Sequence, residues 1–183
     1  MKPMDVQVRP GGEEDLDALT EIYNHYVRET AITFDVTPFT PEERRRWLLS
    51  YSQDGPYRLL VAREGGECPE GRVLGYATSS PFRAKAAYRT SVEVSVYCAP
   101  AARGRGVGTL LYEALFAALE GEDVHRAYAG VTEPNPASAR LHRRFGFAPV
   151  GTFREVGRKF GRYWDVTHYE RPVGGVGAAP GDG

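Results

Sequence analysis

The sequence predicts an α/β protein with helices packed on one sheet, and three observations carry that reading. Stretches that alternate apolar and polar residues recur along the 183-residue chain, interleaved with stretches whose apolar residues return every three or four positions. The clearest pair is contiguous. Val92, Val94 and Val96 alternate with Glu93, Ser95 and Tyr97, and apolar residues then fall at 107, 110, 111, 114, 115, 118 and 119. Between the two lies Arg103-Gly104-Arg105-Gly106-Val107-Gly108, a glycine-rich turn opening a helix.

Taken in order, Val6 to Arg9 is a short strand, and the Pro10-Gly11-Gly12 turn leads into a helix with an acidic start, Glu13-Glu14-Asp15. Leu16, Leu19, Ile22, Tyr23 and Tyr26 give that helix one apolar face, and it ends near Arg28 to Thr30. Ala31 to Phe34 is expected to be a short extended piece. Thr40-Pro41-Glu42-Glu43 then caps a second helix carrying Trp47, Leu48 and Tyr51. Arg44, Arg45 and Arg46 spread over different faces of it and are expected to be solvated. Arg58 to Arg63 and Arg72 to Thr78 read as antiparallel strands joined by the polar loop from Glu64 to Gly71. After the central strand and helix come a strand at 126–132 and a helix capped by Asn135, begun by Pro136 and closed at Gly146. Phe147 to Val150 and Trp164 to Tyr169 are the last strands, with 154–162 between them.

With 42% apolar and 26% charged residues, the chain can bury a full core. Residues 1–173 are expected to form one domain and the Gly/Ala/Pro-rich 174–183 a disordered tail. Lys plus Arg number 23 and Asp plus Glu 24, a net charge of −1, which disfavours a general nucleic-acid binder. Cys68 and Cys98 have no metal-ligand spacing, so no metal is expected and both read as reduced thiols. MKPMDVQVRP lacks the apolar centre of a signal peptide, and no stretch reaches membrane-span length. The expectation is a cytoplasmic protein without a membrane partner.

The glycine-rich turn is a place for phosphate, because the first N–H groups of a helix have no internal partner and glycines let a ligand approach the backbone. A P-loop would need Gly-Lys-Ser/Thr, and a dinucleotide fingerprint would need a small residue where Thr109 stands. The remaining pattern, Arg-x-x-Gly-x-Gly from Arg103 to Gly108, resembles the pyrophosphate loop of the GNAT superfamily of acetyl-CoA-dependent N-acetyltransferases. The run from Asn135 to Phe147 resembles the Asn-led helix and closing Gly-Phe of that superfamily. The segments 22–27, 33–35, 81–88, 92–97 and 154–161 resemble its phosphinothricin acetyltransferase group, so the likeness extends from Val8 to Tyr169.

That resemblance implies the GNAT fold, a mixed and mostly antiparallel sheet of about six to seven strands flanked by about four helices. It implies acetyl-CoA as cosubstrate, a small amino-acid-like acceptor of the phosphinothricin or methionine sulfoximine/sulfone type, and a homodimer. The other readings are acetylation of a different amine (a protein N-terminus, a polyamine or an aminoglycoside) and a CoA-binding regulatory module without catalysis.

An amine that attacks a thioester must first lose a proton, and Glu93, mid-strand among three valines, is the candidate base. Backbone N–H groups along Val94, Ser95 and Val96 are the supply for the attacked carbonyl oxygen, given the splay from the next strand that the fold resemblance implies. The phosphates would sit on Arg103, Gly104, Arg105, Gly106, Val107 and Gly108. Asn135 is explained as a helix cap, and the resemblance adds a contact to the pantetheine arm, with Ser138 beside it. Ser138 and His142 share a helix face. Many superfamily members carry Tyr in place of His142 whereas the phosphinothricin group carries His, so its role stands open between base, thiolate acid and substrate contact. Arg83, Lys85 and Tyr88 offer two cations and a phenol to a carboxylate or phosphinate, or form a solvated basic loop. Phe34 is either an apolar wall of the substrate pocket or a core aromatic. Asn24 and Tyr26 are placed to approach the site, His25 to point elsewhere, and Tyr97 to pack.

Overall fold

A computed structural model describes residues 5–65 and 71–174. Cys68, four of the N-terminal residues and the tail beyond Gly174 lie outside the described residues. The strands are β1 (Val6–Pro10), β2 (Leu59–Glu64), β3 (Val73–Pro81), β4 (Ser91–Cys98), β5 (Arg126–Thr132), β6 (Ala148–Lys159) and β7 (Arg162–Pro172). The helices are α1 (Leu16–Glu29), α2 (Pro41–Leu48), α3 (Val107–Leu119) and α4 (Pro136–Arg144). All seven strands form one sheet in the order β1-β2-β3-β4-β5-β7-β6, antiparallel except for the β4–β5 pair.

The two faces of the sheet bury different residues, as strand alternation requires. On one face Val92 and Val94 pack with Leu74, Ala77, Leu111, Tyr112 and Leu115 beneath α3. On the other, Val61, Val73 and Tyr76 pack with Leu16, Leu19 and Ile22 of α1 and Leu48 of α2, with Tyr97 against them. The fully buried Asp15 fastens the start of α1 to the sheet, taking Arg9 at 2.9 and 3.0 Å and Arg63 at 2.7 and 3.1 Å. The Thr40–Glu43 capping box starts α2 as expected.

Four expectations need correction. Residues 31–34 form bends and no strand. Tyr51 lies beyond the end of α2 but still packs with its cluster. Residues 154–162 belong to a long β6–β7 hairpin, turned at Phe160 (φ 53°) and Gly161 (φ 72°). The buried stripe of α3 is Val107, Leu111, Tyr112, Leu115, Phe116 and Leu119, one residue round from the expected one, so Leu110 is exposed.

Candidate active site

The parallel ladder between β4 and β5 stops early. It pairs Ser91 with Arg126, Val92 with Ala127 and Glu93 with Tyr128, and no further, while β5 continues to Thr132 along β7. Beyond Glu93 the strands part. Ala99 N–H donates to Leu74 O and Phe82 N–H to Ser91 O, which turns the odd residues of β4 toward β3. Alternation therefore turns the backbone groups of Val94 and Val96 into the gap, where β5 offers no partner. A cavity of about 50 Å³ occupies the gap, lined by Val94, Ser95, Val96, Tyr112, Asn135, Ser138 and His142 among others.

On the α3–α4 face the gap opens into a groove of about 510 Å³, lined by Arg103, Gly104, Gly106, Gly108, Asn135 and Ser138 with Val96 and Cys98. Gly104 (φ 74°) and Gly106 (φ 81°) are left-handed, a backbone state that costs glycine little. They bend the chain so that α3 begins with no side-chain cap. The first helical bond runs from Leu110 N–H to Gly106 O, leaving the N–H groups of Val107, Gly108 and Thr109 without a partner among the described residues. Three free donors at a helix start fit a pyrophosphate, and the groove beside them fits a pantetheine arm. Arg103 is exposed and donates to His25 Nε2 at 3.1 Å, so His25 meets this loop after all. Arg105 is exposed and Val107 is buried beneath the loop. Tyr26 lines the groove and donates to Cys98 O at 2.7 Å. Asn135 caps α4 by accepting from Ser138 N–H at 3.1 Å while lining both spaces.

His142 is 3% exposed, and both ring nitrogens are engaged. Nδ1 lies 2.8 Å from Ser138 O and 3.2 Å from Ser138 Oγ, and since a carbonyl only accepts, Nδ1 carries the hydrogen. Nε2 then accepts from the Tyr112 hydroxyl at 3.0 Å. Burial holds the imidazole below its ordinary pKa, which favours this neutral tautomer. His142 thus lines the gap hydrogen-bonded to Tyr112, a residue the sequence reading passed over. Its signal was available, since Tyr112 lies four residues past Gly108 on the face that looks at β4. Burial likewise raises the Cys98 thiol to about 11, so this groove-lining sulfur is protonated at neutral pH.

On the opposite, α1–α2 face lies a third space of about 270 Å³, lined by Tyr23, Asp35, Arg44, Trp47, Tyr76, Ser80, Ser95 and Tyr97 among others. Ser95 and Tyr97 border both this cavity and the gap, which joins the two faces. Glu93 shares the face of Ser95 and pairs across β3 with Ser80, at the cavity's edge. It is half-buried, and its carboxylate has no hydrogen bond or ion pair among the described residues. Arg44, expected in solvent, is 6% exposed instead. Its guanidinium lies between the rings of Tyr23 (4.4 Å) and Trp47 (3.8 Å).

Other predicted residues stand apart. Phe34 packs over Gly157 of the hairpin, while its neighbour Asp35 lines the cavity. Asn24 clasps the backbone of Phe39, donating to its carbonyl at 2.7 Å and accepting from its N–H at 2.9 Å. Arg83, Lys85 and Tyr88 are exposed after β3, where the chain bends before a short 3-10 turn at 86–88. Arg83 rests on Phe82, which stacks on Tyr128 at 4.3 Å. No cluster among the described residues could hold a metal ion.

The profile of the Acetyltransferase (GNAT) family matches residues 19–147. The chain is 70% identical over 169 residues to a phosphinothricin N-acetyltransferase of Streptomyces coelicolor, covering 92% of this chain and 97% of that protein. It is 34% identical over 177 residues to an L-methionine sulfoximine/L-methionine sulfone acetyltransferase of Pseudomonas aeruginosa, covering 97% and 100%. Among solved structures, a GNAT superfamily phosphinothricin acetyltransferase of Sinorhizobium meliloti in complex with acetyl-CoA superposes with a TM-score of 0.85 at 33% identity, covering 98% of this chain and 95% of that one.

Proposed function

The chain belongs to the acetyltransferase (GNAT) family, and from that premise we propose that it transfers acetyl from acetyl-CoA to the α-amino group of a small amino-acid analogue of the phosphinothricin or methionine sulfoximine/sulfone type. The observation that carries this reading is the gap beyond Glu93, which joins a phosphate-ready groove on one face to a polar cavity on the other. The names of the relatives in Streptomyces coelicolor and Pseudomonas aeruginosa support the acceptor class.

In this reading acetyl-CoA supplies an acetyl thioester. The free N–H groups of Val107, Gly108 and Thr109 bind its phosphates with Arg103, Gly104, Arg105 and Gly106, and Asn135 and Ser138 line the path of its arm. Backbone N–H of Val94 and Val96 donates to the carbonyl oxygen as negative charge develops there. Glu93 takes the amine proton, directly or through a water, so that nitrogen attacks carbon as the carbon–sulfur bond breaks. The departing thiolate takes the second proton that the nitrogen sheds as the amide forms, within the gap that Tyr112, Ser138 and His142 line. Arg83, Lys85 and Tyr88 draw an anionic acceptor to the Glu93 end of the sheet, and Phe34 holds the 31–39 loop that forms one wall. The transfer is direct, because a protonated Cys98 is a poor nucleophile.

The protein works in this reading as a cytoplasmic homodimer. The exposed apolar residues Val150, Phe153, Val156, Phe160 and Tyr163 along the β6–β7 hairpin support the association. Among the described residues no helix is long and apolar enough to cross a membrane. A thiol-release assay with phosphinothricin, methionine sulfoximine and methionine sulfone tests the activity. Glu93→Gln is expected to lower kcat by roughly 10²–10⁴-fold. Near wild-type turnover of that variant across pH would sink the assignment of the base.

A further inference from the structure

Arg44 is a buried cation without a counter-charge. It makes no ion pair among the described residues, and of its five N–H donors one is hydrogen-bonded, to Leu19 O at 3.1 Å. Aromatic stacking alone would be served by an uncharged side chain. A guanidinium held away from water with most of its donors open is costly unless something answers it. Beside it Tyr76 is 1% exposed, and its buried hydroxyl has no partner within hydrogen-bond distance among the described residues, Arg44 being the cation that faces it. The two groups interact, since the Arg44 charge opposes the rise that burial imposes on the Tyr76 phenol. Both line the α1–α2-face cavity. The two carboxylates that line it turn elsewhere, Asp35 to the Tyr23 hydroxyl and Glu43 to Thr40 N–H at 2.7 Å and Thr40 Oγ1 at 3.0 Å, and neither pairs with Arg44.

We propose that Arg44 and Tyr76 form an oxyanion site that binds the acid group of the acceptor amino acid, its carboxylate or its phosphinate, from the floor of this cavity. The inference rests on the cavity being the acceptor pocket. A planar fork of donors with a phenol beside it matches a two-oxygen anion, and its charge answers the unpaired cation. The α-amine, on the same carbon as the carboxylate and at the far end of the molecule from the phosphinate, is then held toward Ser95 and the gap. The site favours acidic amino-acid analogues over their amides, because the Arg44 guanidinium meets the anion directly.

The test measures kcat/KM for phosphinothricin, methionine sulfone and methionine sulfone amide in the wild type, Arg44→Met, Arg44→Lys and Tyr76→Phe. Melting temperatures establish folding, and the KM for acetyl-CoA reads the other face. Arg44→Met is expected to lose roughly 10²-fold on the acids with the acetyl-CoA KM unchanged, Arg44→Lys to recover part of it, and Tyr76→Phe to lose about tenfold. Loss on both acids but not on the amide assigns the carboxylate. Loss on phosphinothricin alone assigns the phosphinate. Equal loss on acids and amide, or no loss in a folded variant, overturns the proposal. If Arg44→Met does not fold, Tyr76→Phe and the wild-type preference for acid over amide decide it. A wild type that acetylates no amine refutes the proposed function instead. In that event, calorimetric binding of phosphinothricin, weakened in Arg44→Lys and Tyr76→Phe or not, still decides the anion site.

Discussion

His142 and Arg44 show how burial changes the meaning of a side chain. The imidazole sits below its ordinary pKa through desolvation, so the unfolded chain binds a proton that the folded chain refuses. Its neutral form supports stability above the unfolded pKa of about 6.5, and that support falls away as the pH drops beneath it. Thermal melts from about pH 7.5 to about 5.5 are expected to show a larger fall in Tm for the wild type than for His142→Gln. Equal slopes would mean that another group dominates that range. The sequence made the Ser138–His142 pairing legible, because a helical spacing of four is local geometry. It did not make the Tyr112 partnership legible, because that contact joins two helices 30 residues apart. Arg44 was misread for a related reason. Three consecutive arginines read as a solvated run, and only the packing of α2 on α1 shows that one of them faces inward between Tyr23 and Trp47.

At the scale of elements, two fastenings set where the α1–α2-face cavity stands. Asp15 joins the entry of α1 to β1 and β2 through two arginines; Asp15→Ala leaves Arg63 without its carboxylate while Arg9 keeps Glu14 at 3.2 Å, and is expected to cost about 2–3 kcal/mol in denaturant unfolding. A cost below about 1 kcal/mol would class the cluster with ordinary surface pairs. The β6–β7 hairpin holds the loop before α2 from the other side: Lys159 Nζ donates to Thr33 O at 2.8 Å, and Phe34 covers Gly157. A Cβ at 157 would come within 2.1 Å of the Phe34 ring, so Gly157→Ala must move that ring or, with it, the loop carrying Asp35 and Phe39. A raised KM for the amino acid with an unchanged KM for acetyl-CoA is expected. Unchanged values for both would show that the loop absorbs the methyl group elsewhere. The hairpin was only half legible, because Phe160-Gly161 lacks the Asn-Gly or Asp-Gly signature of a two-residue turn. The strand, turn and helix around the glycine-rich loop were legible as elements, because alternation, paired glycines and 3.6-residue spacing agree there, while the buried stripe of α3 fell one residue round from the expected one.

For the whole molecule, light scattering is expected to give a dimer, and Phe153→Glu combined with Phe160→Glu to give a monomer, since both side chains stand more than half exposed on the hairpin. A wild-type monomer at micromolar concentration removes the dimer from the reading. The seven-stranded order was not written in any single stretch. Pairing partners distant in sequence leave no local pattern, and the family likeness supplied the topology that the chain's own periodicity could not. The early end of the β4–β5 ladder then acts as the one doorway in an otherwise continuous partition. In the proposed reading the nucleotide-bearing reactant and the amino acid come from opposite sides of that partition and meet beside Ser95 and Tyr97.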